Sequence, residues 1–286
     1  MTSANPKAQL HAAGLRPKHH FGQNFLTDPS LCARIAALAV PEGVDGVIEI
    51  GAGLGALTAA LLENARHVVA IERDRDLVPQ LSSTFEEAVR EGRLSIVEDD
   101  AKTYDYVSAL RAFDGKCTVA GNLPYQITGP LLKRSIELAA HVARCTFLVQ
   151  LEVADRLTAA PGGDAYGALS VFLQARYAVR RELIVRRGAF YPQPNVDSAV
   201  VVLEPLGAPV NAETPLFRAF VKSAFLQRRK KLRNAWSGVA GLSAESLVQA
   251  AAEAAIDLNL RGEVLSVEQF AQMTRSAERL TREPLE

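Results

Sequence analysis

Short, unbroken apolar runs alternate with longer helical patterns from residue 47 onward, and this alternation constrains the fold more than any other feature. Helices are predicted over 54–63, over 74–90 and from about 130. Strands without a polar face, separated by helices, are typical of a mostly parallel sheet covered on both sides. The pattern therefore predicts an α/β fold. Buried strands are predicted at the runs VIEI (47–50), HVVAI (67–71), LSIV (94–97), CTVA (117–120), CTFLVQL (145–151) and DSAVVVL (197–203).

A change of pattern near residue 204 predicts a domain boundary. The stretch 204–215, EPLGAPVNAETP, has three prolines and little periodicity, which is typical of a linker. Helical spacing then returns over 217–236, 243–256 and 266–280. We expect a first domain over 1–207, with a basic N-terminal segment, and a small all-helical domain over 208–286. The strand at 197–203 is approached through Pro192 and Pro194, which favours the edge of the sheet.

Composition and hydropathy exclude several classes of protein. Hydrophobic residues make up 48% of the 286, enough for a sizeable core, and the 32 basic and 32 acidic side chains cancel. A neutral chain is not uniformly coated for nucleic acid, although it can carry a local basic patch. No apolar run reaches the roughly 18 residues of a membrane span. The first twenty residues have no secretory apolar core, so we expect a cytoplasmic protein without membrane contact.

Cysteine and histidine spacing argues against a metal centre. The three cysteines are widely separated and lie in or beside apolar segments, so we interpret them as small core residues. None of the five histidines lies near acids or cysteines at the spacing of zinc ligands. We therefore expect neither a disulfide framework nor a metal.

A glycine-rich turn and two acids indicate a nucleotide-like cofactor. Gly51 and Gly53 follow the first strand, where bare backbone amides allow a ligand to approach closely. Glu72 ends the next strand, about twenty residues later, where a carboxylate can accept hydrogen bonds from both ribose hydroxyls. Asp99 and Asp100 follow the third strand and suit the exocyclic amine of an adenine. The glycine spacing also fits NAD enzymes, so the spacing alone does not select the cofactor.

The turn after the fourth strand suggests the chemistry. It contains Asn122, Leu123, Pro124 and Tyr125 at the strand end, where open α/β sheets place their ligands. An adenine amine is a poor nucleophile, because its lone pair is delocalised into the ring. The Asn122 oxygen and a backbone carbonyl can each accept one N–H of that amine, and Tyr125 can stack on the base. The alternative interpretation is a plain turn before a helix.

Four motifs together resemble a known family. They are FGQNFL (21–26), EIGAGLG (49–55), NLPY (122–125) and AFYPQPNVDSAV (189–200). In this order they resemble the ribosomal RNA adenine dimethyltransferases, most closely the bacterial small-subunit branch linked to kasugamycin sensitivity. The resemblance spans about residues 16–275 and departs mildly at Ala52, where many members have proline. It implies a Rossmann-like class I methyltransferase domain with a small helical C-terminal domain.

The resemblance also implies a reaction and its residues. The donor would be S-adenosylmethionine, and the acceptors two adjacent adenines in the hairpin near the 3′ end of 16S rRNA, within an assembling small subunit. Catalytic roles are expected for Asn122, Leu123, Pro124, Tyr125 and Phe190, the last stacking opposite Tyr125. Asp100 is preferred to Asp99 because the family pattern is Asp-Ala. Donor contacts are expected at Gln23, Asn24, Leu26, Gly51, Gly53, Glu72, Asp100 and Asn122.

A cationic stretch near the start of the helical domain predicts RNA contact. Residues 221–240 contain six cations and no acid, and a charge of this kind binds phosphates by counterion release. Phe225 and Trp236 in the same stretch support the prediction, and the alternative is a solvated helix face. A second cationic segment, residues 7–20, is expected to close over the donor or to contact RNA. The six predicted RNA-binding residues are Lys222, Arg228, Arg229, Lys230, Lys231 and Arg233.

Three other functions remain open. The first is a large-subunit rRNA methyltransferase of the macrolide-resistance type, although leucine at position 123 and the motif at 189–200 favour the small-subunit branch. The second is a nicotinamide-dependent dehydrogenase, which lacks a convincing partner for hydride transfer here. The third is a ribosome-assembly factor without turnover, and the complete motif at 122–125 argues against it. The expected partner is 16S rRNA in the small subunit or its precursor, and no feature indicates an obligate protein partner.

Overall fold

The computed structural model describes residues 5–207 and 214–282. Contacts divide the chain into two units, Met1–Ala154 with Ala178–Pro205, and Asp155–Tyr177 with Leu206–Glu286. Residues 155–177 therefore group with the C-terminal helices, which a single division at residue 207 does not anticipate. Residues 208–213 of the predicted linker lie outside the described part of the chain.

The elements follow one another along the described ranges as short strands and helices. The strands are β1 (Phe25–Leu26), β2 (Val44–Ile50), β3 (His67–Glu72), β4 (Leu94–Glu98), β5 (Lys116–Asn122), β6 (Arg144–Gln150), β7 (Tyr177–Val185), β8 (Phe190–Tyr191) and β9 (Ser198–Pro205). The helices are α1 (Pro6–Ala12), α2 (Pro29–Ala39), α3 (Ala56–Asn64), α4 (Val78–Thr84), α5 (Glu86–Arg90), α6 (Tyr106–Arg111), α7 (Thr128–Leu138), α8 (Leu151–Leu157), α9 (Ala168–Gln174), α10 (Pro215–Leu226), α11 (Leu232–Ala235), α12 (Ala244–Glu253) and α13 (Val267–Arg282).

The central sheet has seven strands in the order β4-β3-β2-β5-β6-β9-β7. Every pairing from β4 to β6 is parallel, and β9 runs antiparallel to β6. A mostly parallel sheet with helices between its strands is the predicted Rossmann-like architecture, which the structure confirms. A helical region follows it toward the C-terminus, as predicted.

The strand order reverses at β2, which pairs with β3 on one side and β5 on the other. Ligands of open α/β sheets bind beyond the carboxyl ends of the strands at such a switch point. The last residues of these three strands are Ile50, Glu72 and Asn122. The topology thus brings the predicted glycine turn, acid and asparagine to one edge of the sheet.

Two strand predictions were incomplete. The segment β7 was not predicted, because Arg180, Arg181 and Glu182 are exposed and interrupt any apolar run. The expected edge position of β9 is wrong, since β9 lies between β6 and β7 and the charged β7 takes the edge. Charged side chains suit an edge strand, which has water on its unpaired side.

Two predicted helices are each divided. The helix expected over 74–90 forms α4 and α5, which meet at Phe85. The helix expected at 217–236 forms α10 and α11, separated by residues 227–231. Four adjacent cations occupy that interruption, and mutual repulsion of like charges disfavours another helical turn.

The helical unit has its own aromatic core, and Trp236 is part of it. Its side chain is fully buried, and its indole N–H donates to the Phe220 carbonyl at 3.0 Å. Phe270 packs edge-on against the same indole. Trp236 is therefore unavailable for stacking on RNA bases, and its predicted support for RNA contact is wrong. The reason is that its large apolar area stabilises the unit only when buried.

The three cysteines are buried and free, as predicted. Burial raises the pKa of the Cys32 thiol to about 12. Across residues 5–207 and 214–282, no helix combines the length and apolarity needed to cross a membrane. Within the same ranges, no group of three or more histidine, cysteine or acidic side chains is arranged to hold a metal ion.

Candidate active site

A cleft opens at the carboxyl edge of the sheet. Its lining comes from residues 20–26, 49–54, 56–57, 71–73, 99–101 and 122–127. These segments hold all eight residues predicted to contact a donor and four of the five predicted catalytic residues. The structure thus brings three of the four sequence motifs to one cavity.

The glycine turn and Glu72 are hydrogen-bonded to each other. Gly51 and Gly53 have φ values of 71° and 60°, a region that favours glycine. The Gly53 N–H donates to one Glu72 carboxylate oxygen at 2.8 Å, and the Asp74 N–H donates to the other at 2.8 Å. Burial raises the pKa of Glu72, against the effect of these donors. Each oxygen keeps a second lone pair, so the carboxylate can still accept from a diol.

Both acids after β4 line the cleft. Asp100 has one oxygen 3.2 Å from an Arg73 guanidinium nitrogen, while its other oxygen accepts from the Lys102 N–H at 3.0 Å. Asp99 accepts from the Asp100 N–H at 2.6 Å. The choice of Asp100 over Asp99 as the adenine contact stays a prediction.

The orientation of Asn122 is fixed by its own hydrogen bond. Its side-chain nitrogen donates to the Asn24 carbonyl at 2.7 Å. A carbonyl can only accept, so the amide nitrogen must face Asn24 and the amide oxygen must point elsewhere. No residue in the described ranges donates to that oxygen. A free acceptor therefore lies in the lining of the cleft.

The turn after Asn122 is rigid and leads into α7. The Pro124 carbonyl accepts from the Ile127 N–H and from the Thr128 hydroxyl, both at 3.0 Å. The Leu123 N–H donates to the Leu148 carbonyl at 3.0 Å, which ties the turn to β6. The turn does precede a helix, as the plain interpretation expects, and it also lines the cleft.

Tyr125 is held through its hydroxyl. Its oxygen lies 2.7 Å from the hydroxyl of Ser198, which is fully buried at the start of β9. Burial raises the pKa of Tyr125. Sequence reasoning missed Ser198, although it belongs to the fourth motif.

Phe190 is not in the lining of the cleft. It is 4% exposed and pairs with Leu26 in the two-stranded sheet formed by β1 and β8. This sheet explains why the fourth motif lies beside the first. The predicted stacking of Phe190 on a target base stays a prediction.

An ion-pair network holds the N-terminal segment against the end of β3. The Lys18 ammonium lies 2.5 Å from Asp74 and 2.6 Å from Asp76. The Gln23 amide donates to the other Asp74 oxygen at 2.7 Å and accepts from the Lys18 N–H at 2.8 Å. Sequence reasoning singled out Lys18 but missed both acids. The side chain of His19 lies outside the described part of the chain.

A buried acid lies behind the glycine turn. Glu49 is 1% exposed, and its carboxyl accepts from the Thr58 hydroxyl at 2.6 Å. Burial raises the pKa of Glu49 to about 8, with a smaller contribution from Glu72. Sequence reasoning quoted this residue in a motif but assigned it no role.

The predicted RNA-binding cations belong to the helical unit, and all six are exposed. Arg228 is hydrogen-bonded within the unit: its guanidinium donates to the carbonyls of Asp164 and Tyr166 at 3.3 and 3.4 Å. It also lies 3.6 Å from a Glu263 oxygen. Beside this cluster, Leu226 is 85% exposed. RNA binding by the six residues stays a prediction.

Sequence comparison places this cleft in a known context. A family model described as ribosomal RNA adenine dimethylase matches residues 14–279. The chain is 43% identical over 282 residues to the ribosomal RNA small subunit methyltransferase A of Anaeromyxobacter sp. strain K, covering 95% of this chain and 97% of that relative. It is 40% identical over 272 residues to the protein of the same name from Geobacter metallireducens, covering 93% and 98%.

Solved structures resemble the chain in fold. A dimethyladenosine transferase from Plasmodium falciparum has a TM-score of 0.75 at 22% identity, covering 87% of this chain and 95% of that one. The 23S rRNA methyltransferase ErmE has a TM-score of 0.66 at 24% identity, covering 89% and 100%. Both support the methyltransferase fold.

Proposed function

The chain belongs to the ribosomal RNA adenine dimethylase family, and from this premise we propose that it dimethylates two adjacent adenines in the hairpin near the 3′ end of 16S rRNA. The enzyme is a methyltransferase of rRNA that uses S-adenosylmethionine. The small-subunit names of its relatives support the choice of 16S rRNA. We further propose that it acts in the cytoplasm on an assembling small subunit.

One observation carries the proposal: an unpaired amide oxygen of Asn122 shares a cleft with a glycine turn and a diol-accepting carboxylate. A donor with a ribose and an acceptor amine can meet only where both kinds of group line one cavity. The cleft satisfies this requirement with residues from the ends of β2, β3 and β5.

The residues of the cleft fit S-adenosylmethionine. Glycine at position 53 lets the turn pass close to the Phe25 ring, since a Cβ there would lie only 3.1 Å from that ring. Glu72 would hold the ribose hydroxyls, and Asp100 the adenine amine. When bound, the donor supplies a methyl group on a positively charged sulfur. We propose that Gln23, Asn24 and Leu26, together with Gly51, Gly53 and Asn122, complete its contacts.

The turn at 122–125 would position the acceptor amine. The Asn122 oxygen accepts one N–H, and we assign the second to the Leu123 carbonyl because the Pro124 carbonyl already accepts two donors. Two acceptors favour a pyramidal nitrogen whose lone pair is available. Tyr125 stacks on the base, a contact worth about 1–3 kcal/mol.

No strong base is needed for this reaction. The amine loses its proton after it has gained a methyl group, when it is much more acidic. Alignment can supply several kcal/mol of the barrier on its own. After the first transfer one N–H remains, so one acceptor suffices for the second.

The target adenine must leave its stack to enter the cleft. Extrusion of a base costs a few kcal/mol, and less in a hairpin loop. We propose that the exposed cations of the helical unit offset this cost by contacting phosphates. This role belongs to Lys222, Arg229, Lys230, Lys231 and Arg233. Arg228 contributes less to phosphate binding, because its guanidinium is already hydrogen-bonded within the unit.

The experiment that tests the proposal maps the product. The protein is incubated with methyl-labelled S-adenosylmethionine and small subunits from cells lacking this modification, and the labelled nucleotides are located. We expect dimethyladenine at two adjacent positions of the 3′ hairpin. Large subunits serve as the control, because labelling there instead would favour the large-subunit alternative. An absence of label on both subunits would contradict the proposed function.

A further inference from the structure

We propose that Asp74 is a positioning residue: through Gln23 it holds residues 22–26 in place, so that the Asn24 carbonyl orients the amide of Asn122. The inference rests on the proposed function, because it assigns the orientation of the acceptor group. It concerns a residue outside the sequence motifs, which touches neither donor nor adenine.

Asp74 is almost fully buried, with 2% of its surface exposed, and both of its oxygens are used. One accepts from the Lys18 ammonium at 2.5 Å and from the Asp76 N–H at 3.1 Å. The other accepts from the Gln23 amide at 2.7 Å. Hydrogen bonds to an ionised acid are about twice as strong as neutral ones. Asp74 therefore fixes a stretch of chain that has little regular structure of its own.

The fixed stretch reaches the acceptor site within one residue. Gln23 is followed by Asn24, whose carbonyl accepts from the Asn122 amide at 2.7 Å. Because this bond sets which end of the Asn122 amide faces the cleft, a displaced Asn24 carbonyl would free the amide to rotate. Asp74 thus acts on the acceptor site through two intervening residues.

The same residue also supports the donor side. The backbone N–H of Asp74 donates to Glu72 at 2.8 Å, and Glu72 in turn accepts from Gly53 at 2.8 Å. A residue with its amide on the donor carboxylate and its side chain on the acceptor segment links the two halves of the site. Misplacement by about 1 Å at such a site can lower turnover about a hundredfold.

The test uses an exchange of hydrogen-bond partners. In Asp74→Asn the new amide nitrogen faces either the Gln23 amide nitrogen or the Lys18 ammonium, so one contact is lost in either orientation. Gln23→Glu alone places two carboxylates against each other. The double variant Asp74→Asn with Gln23→Glu restores one donor opposite one acceptor, and the net charge of the pair is unchanged. Asp76→Asn is the matched control, since Asp76 also contacts Lys18 but has a 48% exposed side chain, and the described hydrogen bonds of Gln23 go to Asp74 and Lys18 instead.

Two quantities are measured for each variant: the Kd for S-adenosylmethionine by calorimetry, and turnover on small subunits per donor-binding site. Counting only sites that bind donor removes the effect of unfolded protein. We expect Asp74→Asn and Gln23→Glu each to raise the donor Kd and to lower saturated turnover. In each variant at least one of these two quantities should change by about tenfold or more. The double variant should improve on the worse single variant by at least about fivefold in both quantities, and Asp76→Asn should stay within about threefold of wild type.

The outcomes separate this inference from the proposed function. Unchanged Kd and turnover in Asp74→Asn would overturn it, as would a double variant no better than the single ones. Should Asp74→Asn fail to fold, Gln23→Glu and the double variant decide in the same way. A wild type that binds donor but methylates no small subunit would overturn only the proposed substrate. The donor Kd values of the variants would still test the positioning role of Asp74. A wild type that binds no donor would overturn both.

Discussion

The side-chain amide of Asn122 donates a hydrogen bond of 2.7 Å to the carbonyl of Asn24, a residue 98 positions earlier in the chain. The bond joins the last residue of β5 to the segment before β1. It leaves the Asn122 oxygen as the group that can accept an adenine N–H. The chemistry proposed for the cleft depends on this orientation.

Asn122→Ala should lower methyl transfer by about a hundredfold or more, because the amine loses a positioned acceptor. RNA affinity should change little, since most of it comes from phosphate contacts. Single-turnover kinetics and RNA titration check the two expectations. Asn64→Ala, on an exposed face of α3, serves as the control. Unchanged turnover in Asn122→Ala would refute the assigned role.

Glu72→Ala should weaken donor binding by about 10- to 100-fold, as expected for a buried charged hydrogen-bond partner. Saturated turnover should fall less than donor affinity, because the proposed contact of Glu72 is with the ribose and not with the reacting groups. Calorimetry with S-adenosylmethionine measures the first effect and saturation kinetics the second. Glu86→Ala, an exposed acid on α5, is the control. A donor Kd equal to that of wild type would remove the ribose contact from the mechanism.

Replacing Arg229, Lys230 and Lys231 by glutamine should lower RNA affinity and flatten its dependence on salt. Each lost phosphate contact should reduce the slope of log K against log salt by about 0.7–0.9. The control is Arg279→Gln, an exposed cation of the same unit that is paired with Glu253. If affinity and slope both match wild type, the cluster does not bind RNA.

Arg228→Gln should behave differently from its neighbours. Its guanidinium contacts two carbonyls of the 158–167 loop and lies near Glu263, so its loss should lower the stability of the helical unit. We expect a decrease of about 1 kcal/mol in the free energy of unfolding, measured with urea. A normal unfolding midpoint together with weaker RNA binding would show that Arg228 acts as a phosphate contact instead.

Glu49→Gln should change how stability depends on pH. The pKa of Glu49 is about 8 in the folded protein against an ordinary 4.5, so between these values the folded state holds a proton that the unfolded chain has released. Wild-type stability should therefore decrease as pH rises through this window, by up to about 1.4 kcal/mol per pH unit. Glutamine stays neutral and still accepts from Thr58, which removes this contribution. Urea unfolding from pH 5 to 8 measures the difference, and parallel curves for the two proteins would contradict it.

Much of the fold could be predicted from the sequence, because it rests on local patterns. The apolar runs of β2, β3 and β5 are long enough to identify buried strands, and their ends carry Glu72 and Asn122. Edge strand β7 was missed, because one side of an edge strand faces water and its sequence need not be apolar. Trp236 was misassigned because a sequence does not show which aromatic side chains are buried.

The residues that make the cleft were visible as motifs, since strand ends and glycine turns are local features with a known chemical use. Their mutual orientation was not visible. Asp74, Ser198 and the Asn24 carbonyl meet their partners across 51, 73 and 98 residues of chain. Hydrogen bonds of this kind form only once the sheet has brought distant loops together, so the tertiary structure alone decides which oxygen of the site is left free.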